Sequence, residues 1–454
     1  MNRTPVSLLF CSVLGAVLGA ALGSGMLYAA EPTNAAVVAN GSTLEEFFTA
    51  ALDYSPELNI ARERWNILSA RKDQTNAQLL PQISASANVY DNTRTASGAP
   101  ETTFTGERYS LQMNQVLFNW SAFAARGQAY LLEDQSEAEY YAQLAKLLTD
   151  VADRYLGVLQ AEDGLNSINA EKEAMANQVA RIQRMFDLQL ARVTDLYDGQ
   201  ARLAGIEAER VAIESRLALS REALRGITGL EAGALARLPA EITVPPLDGS
   251  MDEWLERSRN NNRSIEARAL GLQAAQKQVS RQRGAHLPRV SLVVQRQQTN
   301  IGFDNAQQPR ADSNYIGIDF TVPLYAGGAV RAGVREAQSQ RNIAESELRQ
   351  AELEIVQQTR TAFLQVKAGE ARIEAGRVLA ESTDTSYTAM QRGFDLGTVT
   401  SVDVLNALRD RFRAERELQT ARYDHIRYTL ALRRDAGVLT SEDIRAVSNL
   451  LNVR

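Results

Sequence analysis

The apolar residues of this chain recur with two different spacings. In a span without proline they step by three and four residues, at Tyr141, Leu144, Leu148, Val151, Tyr155 and Val158. This heptad spacing predicts a helix that packs in a coiled coil. Because proline breaks a helix, the proline-free spans from Glu101 to Leu238 and from Leu324 to the end predict helices of about 65 residues, roughly 100 Å long. Such helices must lie beside equally long neighbours.

Between the helical stretches the apolar residues alternate with polar ones. The alternation covers Ile83 to Val89 in the first half and Ile316 to Val322 in the second. This period of two predicts one β-hairpin in each half, at about 82–118 and 288–324. Strands of about ten residues with one apolar face fit an outer-membrane barrel, although a half-buried soluble sheet would alternate in the same way.

The same order of patterns occurs twice. "EFFTAALDYSPELNIAR" from Glu46 aligns with "EWLERSRNNNRSIEAR" from Glu253, and "FDLQLARVTDLY" from Phe186 aligns with "FDLGTVTSVDVL" from Phe394. A period this long indicates duplication of a large structural unit. We therefore predict a first repeat at 31–248 and a second at 249–454, each with a turn between long helices, at about 186–197 and 394–405.

The first 30 residues differ from the rest of the chain. A positive charge at Arg3, an apolar run and small residues ending at Ala30 predict a cleaved secretory signal peptide at 1–30. The single cysteine, Cys11, lies in this segment. After it, no run of 18 apolar residues occurs, so contact with a membrane is expected through strands.

Composition and motifs exclude several classes of function. A net charge of −6 argues against binding to nucleic acid. The only histidines are His286 and His425, and no phosphate-binding or nucleophile motif occurs, so we expect no enzyme, metal site or cofactor. A periplasmic coiled-coil adaptor or structural protein would share the long helices and is the alternative to a channel.

Four strands cannot close a barrel, and an open strand edge would leave backbone groups unpaired in lipid. Several copies must therefore share one barrel. Two copies would give eight strands and a filled interior, whereas three give twelve and leave a lumen.

Two long segments resemble a known family. They are "DFTVPLYAGGAVRAGVREAQ", Asp319–Gln338, and "FDLGTVTSVDVLNALRDRFRAERELQTARYDHIRYTLALRRDAG", Phe394–Gly437. With them the chain resembles, over nearly its whole mature length, the TolC family of trimeric outer-membrane channels for drug efflux and type I protein secretion. The resemblance implies an α+β membrane protein with an α-helical coiled-coil tunnel in the periplasm and a shared 12-stranded barrel in the Gram-negative outer membrane.

The resemblance also implies the partners. These are two further copies in a homotrimer, outer-membrane lipid, a periplasmic adaptor of the membrane fusion protein type, and an inner-membrane pump, either a drug transporter or an ABC exporter. The channel itself would be a passive exit duct that the adaptor and the pump open at its periplasmic tip. The cargo, small toxic compounds or a secreted protein, stays open.

Carried over by position, the family's constriction carboxylates fall on Asp403 and Asn406, so one acid is missing unless Asp195 and Asp198 of the first turn compensate. The family's lock, a tyrosine and an arginine bonded to an aspartate, falls on Phe394, Val399 and Asp195. The lock must therefore be held differently, and apolar contact of Phe394 is one way.

The turn itself matches the family at Gly397 and Thr398, and we expect Leu188 and Leu396 to contact the adaptor with them. Asp403 has two interpretations that do not exclude each other. Three copies near one axis would attract cations and raise one another's pKa. Alternatively, Asp403 caps the helix that begins after "TVTS".

Overall fold

A computed structural model gives the structure of the chain over residues 40–41, 43–95, 98, 100–239, 247–302 and 305–451. The predicted signal peptide, with Cys11, lies outside the described residues. So does part of the predicted join between the repeats, residues 240–246.

The first half passes through two shorter helices, a strand hairpin and two long helices. Its elements are β1 (Asn40–Gly41), α1 (Leu44–Tyr54), α2 (Pro56–Ala77), β2 (Gln82–Arg94), β3 (Thr102–Asn119), α3 (Trp120–Asp187) and α4 (Val193–Thr228). The sequence sets these boundaries locally. Ser55 accepts a hydrogen bond from the backbone of Leu58 and is followed by Pro56 at the first position of α2, where proline fits a helix.

The second half repeats this order. Its elements are β4 (Glu231–Ala232), α5 (Met251–Asn261), α6 (Arg263–Gly284), β5 (Arg289–Ile301), β6 (Gln307–Thr321), α7 (Ala329–Asp395), α8 (Ser401–Asp435) and α9 (Ser441–Leu450). Equivalent helices agree closely in length: α3 has 68 residues and α7 has 67, while α4 has 36 and α8 has 35. The long helices therefore match the length that the proline-free spans predicted.

The two hairpins join into one antiparallel sheet with the strand order β2-β3-β5-β6. In the single chain, β2 and β6 are its edge strands. Apolar side chains on the sheet are exposed, among them Ile83, Leu111, Ile316, Ile318 and Phe320. An exposed apolar face with two edge strands indicates a sheet that is completed by other molecules.

The long helices bury most of their apolar residues against each other. The largest cluster surrounds Tyr155 on α3 and Tyr423 on α8, both fully buried. A second cluster lies nearer the turns and includes Ile182, Leu196 and Leu405. None of the helices in the described part of the chain is both long and apolar enough to cross a membrane.

Candidate functional site

The turn between α3 and α4 closes with two backbone hydrogen bonds. The amide of Leu190 donates to the carbonyl of Met185 at 2.7 Å, and that of Gln189 to Phe186 at 2.8 Å. This is the Schellman pattern, which satisfies the last carbonyls of a helix and needs one residue in the left-handed conformation. Gln189 takes that position with a φ of 63°, a conformation that favours glycine.

The turn between α7 and α8 closes in the same way. The amide of Thr398 donates to Gly393 at 2.9 Å, and that of Gly397 donates to Phe394 at 3.1 Å. Here the left-handed residue is Gly397, with a φ of 74°. The two repeats therefore build the same turn with different residues.

Asp403 caps the helix that follows the second turn. Its carboxylate accepts hydrogen bonds from the hydroxyl of Thr400 at 2.6 Å and from the backbone amide of Thr400 at 3.0 Å. The Thr400 oxygen in turn accepts from the amide of Asp403 at 3.3 Å. These bonds to Thr400, the hydroxyl first, lower the pKa of Asp403. These bonds agree with the capping interpretation, and the interpretation with three copies near one axis stays a prediction.

Asp195 of the first turn is linked to the second turn. Its carboxylate accepts a hydrogen bond from the hydroxyl of Ser401 at 3.0 Å. Both residues lie in the first turn of their helices, α4 and α8, so the bond joins the starts of corresponding helices in the two repeats. Ser401 is buried.

Asn406 and Asp198 share a single cation. The Nε of Arg202 on α4 lies 2.8 Å from an oxygen of Asp198, one helical turn earlier. The Nη1 of the same guanidinium donates to the Oδ1 of Asn406 on α8 at 2.9 Å. Arg202 thus pairs with Asp198 on its own helix and bonds to the Asn406 amide on α8.

Phe394 contacts a cation. The guanidinium of Arg181 on α3 lies over its ring, 4.8 Å from the centroid, within the range of a cation–π interaction. The same guanidinium forms an ion pair with Asp395. Val399 is partly buried beside Gly393, where an added Cβ would come within 3.2 Å of its methyl group.

Leu188 and Leu396 end α3 and α7 and point away from the core. Their side chains are 69% and 79% exposed. Both occupy the same position of the two equivalent turns. The end of the molecule therefore presents two equivalent exposed apolar residues.

Three residues of this site were not identified from the sequence: Arg181, Ser401 and Arg202. The ion pair of Arg202 could have been predicted from the sequence, since an aspartate four residues before an arginine typically pairs with it on a helix. The ion pair of Arg181 could not, because its partner Asp395 is 214 residues away.

Comparison with known proteins agrees with this architecture. A family model described as "Outer membrane efflux protein" matches residues 48–230 and 254–438, one segment in each half. The chain belongs to the outer membrane efflux protein family.

Individual relatives support this assignment. The chain is 30% identical over 415 residues to the outer membrane protein TolC of Vibrio cholerae, which covers 90% of this chain and 94% of that protein. It is 27% identical to the alkaline protease secretion protein AprF of Pseudomonas aeruginosa, over 88% of this chain and 85% of that protein. Among solved structures, the outer-membrane channel OprN superposes with a TM-score of 0.76 at 20% identity, covering 87% of this chain and 90% of OprN.

These matches confirm the predicted family and the predicted location in the outer membrane. They also confirm the predicted combination of long helices with two strand hairpins. The chain is an outer-membrane exit channel for a tripartite export system of a Gram-negative bacterium, and its helical part lies in the periplasm. The alternative of a periplasmic coiled-coil adaptor is wrong, because the match to the channel family extends through both halves.

Proposed function

We propose that three copies of this chain form one duct and that the two turns form its closed periplasmic tip. The edge strands β2 and β6 and the exposed apolar face of the sheet support the shared barrel. Each chain would contribute four strands, and a barrel of twelve strands is wide enough to leave a lumen. The cargo is a small toxic compound or a secreted protein that an inner-membrane pump delivers.

The closed tip is held by polar links between the two repeats. The observation that carries this proposal is the set of three links: Arg181 with Asp395 and Phe394, Asp195 with Ser401, and Arg202 with Asn406. Each link joins the α3–α4 pair to the α7–α8 pair near the turns. Opening requires the two helix pairs to separate here, so these links take the role of the family's tyrosine and arginine.

Replacement of Arg202 tests this lock. Arg202→Ala removes the bonds to Asp198 and Asn406, and a hydrogen bond to a charged group contributes about 1.5–3 kcal/mol. We expect the open state to gain about tenfold in population, which single-channel conductance of the purified protein in a planar bilayer would detect.

Arg210→Ala is the matched control. Arg210 lies on the same helix, but its carboxylate partners, Glu207 and Glu214, are on that helix as well. Its loss should leave the resting conductance unchanged. Equal conductance in wild type and Arg202→Ala would contradict the proposed lock.

We further propose that the exposed Leu188 and Leu396 dock the adaptor. An apolar side chain at an exposed tip loses its contact with water when a partner covers it, and this stabilises the complex. The double replacement Leu188→Glu and Leu396→Glu should abolish export in cells while the purified protein keeps its mass and conductance. Gln189→Glu places the same charge on the first turn without removing a leucine, and it should still export. If the double variant also exports normally, the adaptor docks elsewhere.

A further inference from the structure

His425 lies on α8, far from the turns, where α8 packs against α7. Its side chain is 2% exposed. The backbone of Val366 on α7 favours a proton on the ring, and Nδ1 is buried without a hydrogen-bond partner among the described residues. A neutral imidazole has one donor and one acceptor nitrogen, whereas both nitrogens of the charged ring are donors. Nδ1 can therefore be an unused acceptor in the neutral ring, but it is an unpaired buried donor in the charged ring.

Gly369 explains why α7 and α8 can approach each other at this ring. A Cβ added at Gly369 would lie 3.0 Å from Nδ1. Any other residue at this position would push against the imidazole. A proton on Nδ1 would thus face Gly369, and none of the described residues accepts a hydrogen bond from this nitrogen.

The charged groups near the ring are Glu370 on α7, Asp248 before α5, Arg257 on α5 and Arg433 on α8. Lys367 on α7 hydrogen bonds to Glu370. Of these, Glu370 is the carboxylate whose charge favours a proton on His425. Glu370 already accepts from the amide of Leu247 at 3.0 Å and from Lys367 at 3.1 Å.

A cavity of about 330 Å³ borders His425 on the side of Trp254 and Arg257. The ring therefore has room to move once the contact with Gly369 becomes unfavourable. Because Glu370 also binds the amide of Leu247, a charged His425 that attracts Glu370 would loosen the segment that leads into the second repeat.

We propose that His425 makes the channel sensitive to acid: the neutral ring lets α7 and α8 pack closely, and a proton on Nδ1 loosens this packing, which eases the movement of the pair away from α3–α4 and favours the open tip. This inference rests on the proposed function, in which the α7–α8 pair moves as the tip opens.

The burial of His425 decides how the stability of the closed packing changes with pH. Burial lowers the pKa of His425 in the folded chain, and Glu370 offsets this in part. The unfolded or loosened state has the ordinary value, about 6.5, so it binds the proton first as the pH falls. The closed packing is fully stable above that pH and weakens below it, by at most about tenfold in the equilibrium per pH unit for each histidine.

Single-channel conductance between about pH 7.5 and about pH 5.5 tests the proposal. The chain has only one other histidine, His286, which is exposed, so His286→Gln is a matched control for His425→Gln. We expect conductance to rise several-fold with acid in wild type and in His286→Gln, and to stay flat in His425→Gln. Asp150, Glu171 and Asp435, whose pKa values burial raises, are the same in all three proteins and cannot produce that difference.

The remaining outcomes are distinguishable. An unchanged acid response in His425→Gln overturns the proposal, and so does a flat wild type when Arg202→Ala conducts. If no protein conducts at any pH, Arg202→Ala included, the proposed lock is wrong and the acid response falls with it. Should His425→Gln fail to assemble, hydrogen exchange of the wild-type protein decides, with each rate divided by the intrinsic rate of an unfolded amide at the same pH, because chemical exchange slows in acid. Lower protection in acid at 363–372 and 420–428, but not elsewhere on α7 and α8, supports the proposal, and equal protection overturns it.

Discussion

At the scale of single residues, the two turns solve one backbone problem with different side chains. The position after each long helix must be left-handed. Gly397 adopts this conformation without strain, whereas Gln189 adopts it with a Cβ that costs roughly 1 kcal/mol. The first turn therefore carries a strain that the second lacks.

Gln189→Gly should relieve this strain. We expect it to stabilise the protein by up to about 1 kcal/mol, because the backbone conformation is already the one that glycine favours. Thermal unfolding of the purified protein, followed by its helical circular dichroism, measures the effect. Gly397→Ala should shift the melting temperature down, since nothing lies within 4 Å of an added Cβ and only the backbone conformation opposes it. If both variants melt at the wild-type temperature, the turns do not limit stability.

At the scale of elements, α3 and α8 meet along a seam of buried polar groups. Tyr423 donates to Asp163 at 2.6 Å. Further along the seam, Glu171 on α3 is 2% exposed and forms an ion pair with Arg416 on α8. Burial raises the pKa of Glu171, and the Arg416 guanidinium opposes that rise. Each partner of this pair is buried or partly buried, so each depends on the other for its charge to be balanced.

Arg416→Ala should therefore be costly. Removing one partner leaves the other buried and unpaired, which destabilises a protein by about 3–5 kcal/mol. The double variant Glu171→Leu with Arg416→Met should recover the loss, because a buried ion pair is often replaceable by hydrocarbon. Arg413→Ala removes an exposed pair with Glu417 on the same helix and should cost no more than about 0.5 kcal/mol. Thermal unfolding ranks the variants, and similar losses for Arg416→Ala and Arg413→Ala would contradict this account.

At the scale of the whole molecule, a four-stranded sheet with two edge strands needs further copies to close. We expect β2 of one copy to pair with β6 of the next. A cysteine at Ser86 on β2, combined with a cysteine scan along β6, should give chains cross-linked into trimers at alternate positions, because successive side chains face opposite sides of a sheet.

Non-reducing electrophoresis detects these products. The control pair is Asn114 with Val293, which are register partners within one chain and should cross-link without joining chains. Cross-linking of the control pair alone, with no product between chains, would contradict the shared barrel.

The sequence predicted most of this architecture, because spacing, proline and repetition act locally. The absence of proline and the heptad steps around Tyr155 predicted the long helices. Contacts between the repeats were different. Arg181, Ser401 and Arg416 bond to residues about 200 or more positions away, and only the packing of the helices brings these groups together.

Because α3 and α7 are nearly equal in length, the length of each long helix constrains the length of the other. An insertion of seven residues in α3 alone would displace its turn by about 10 Å along the helix axis, and Arg181 would no longer meet Asp395. A longer or shorter tunnel therefore demands matched changes in all four long helices at once. The two repeats must therefore keep a common length, because a change in one half alone would separate the links that we propose hold the tip closed.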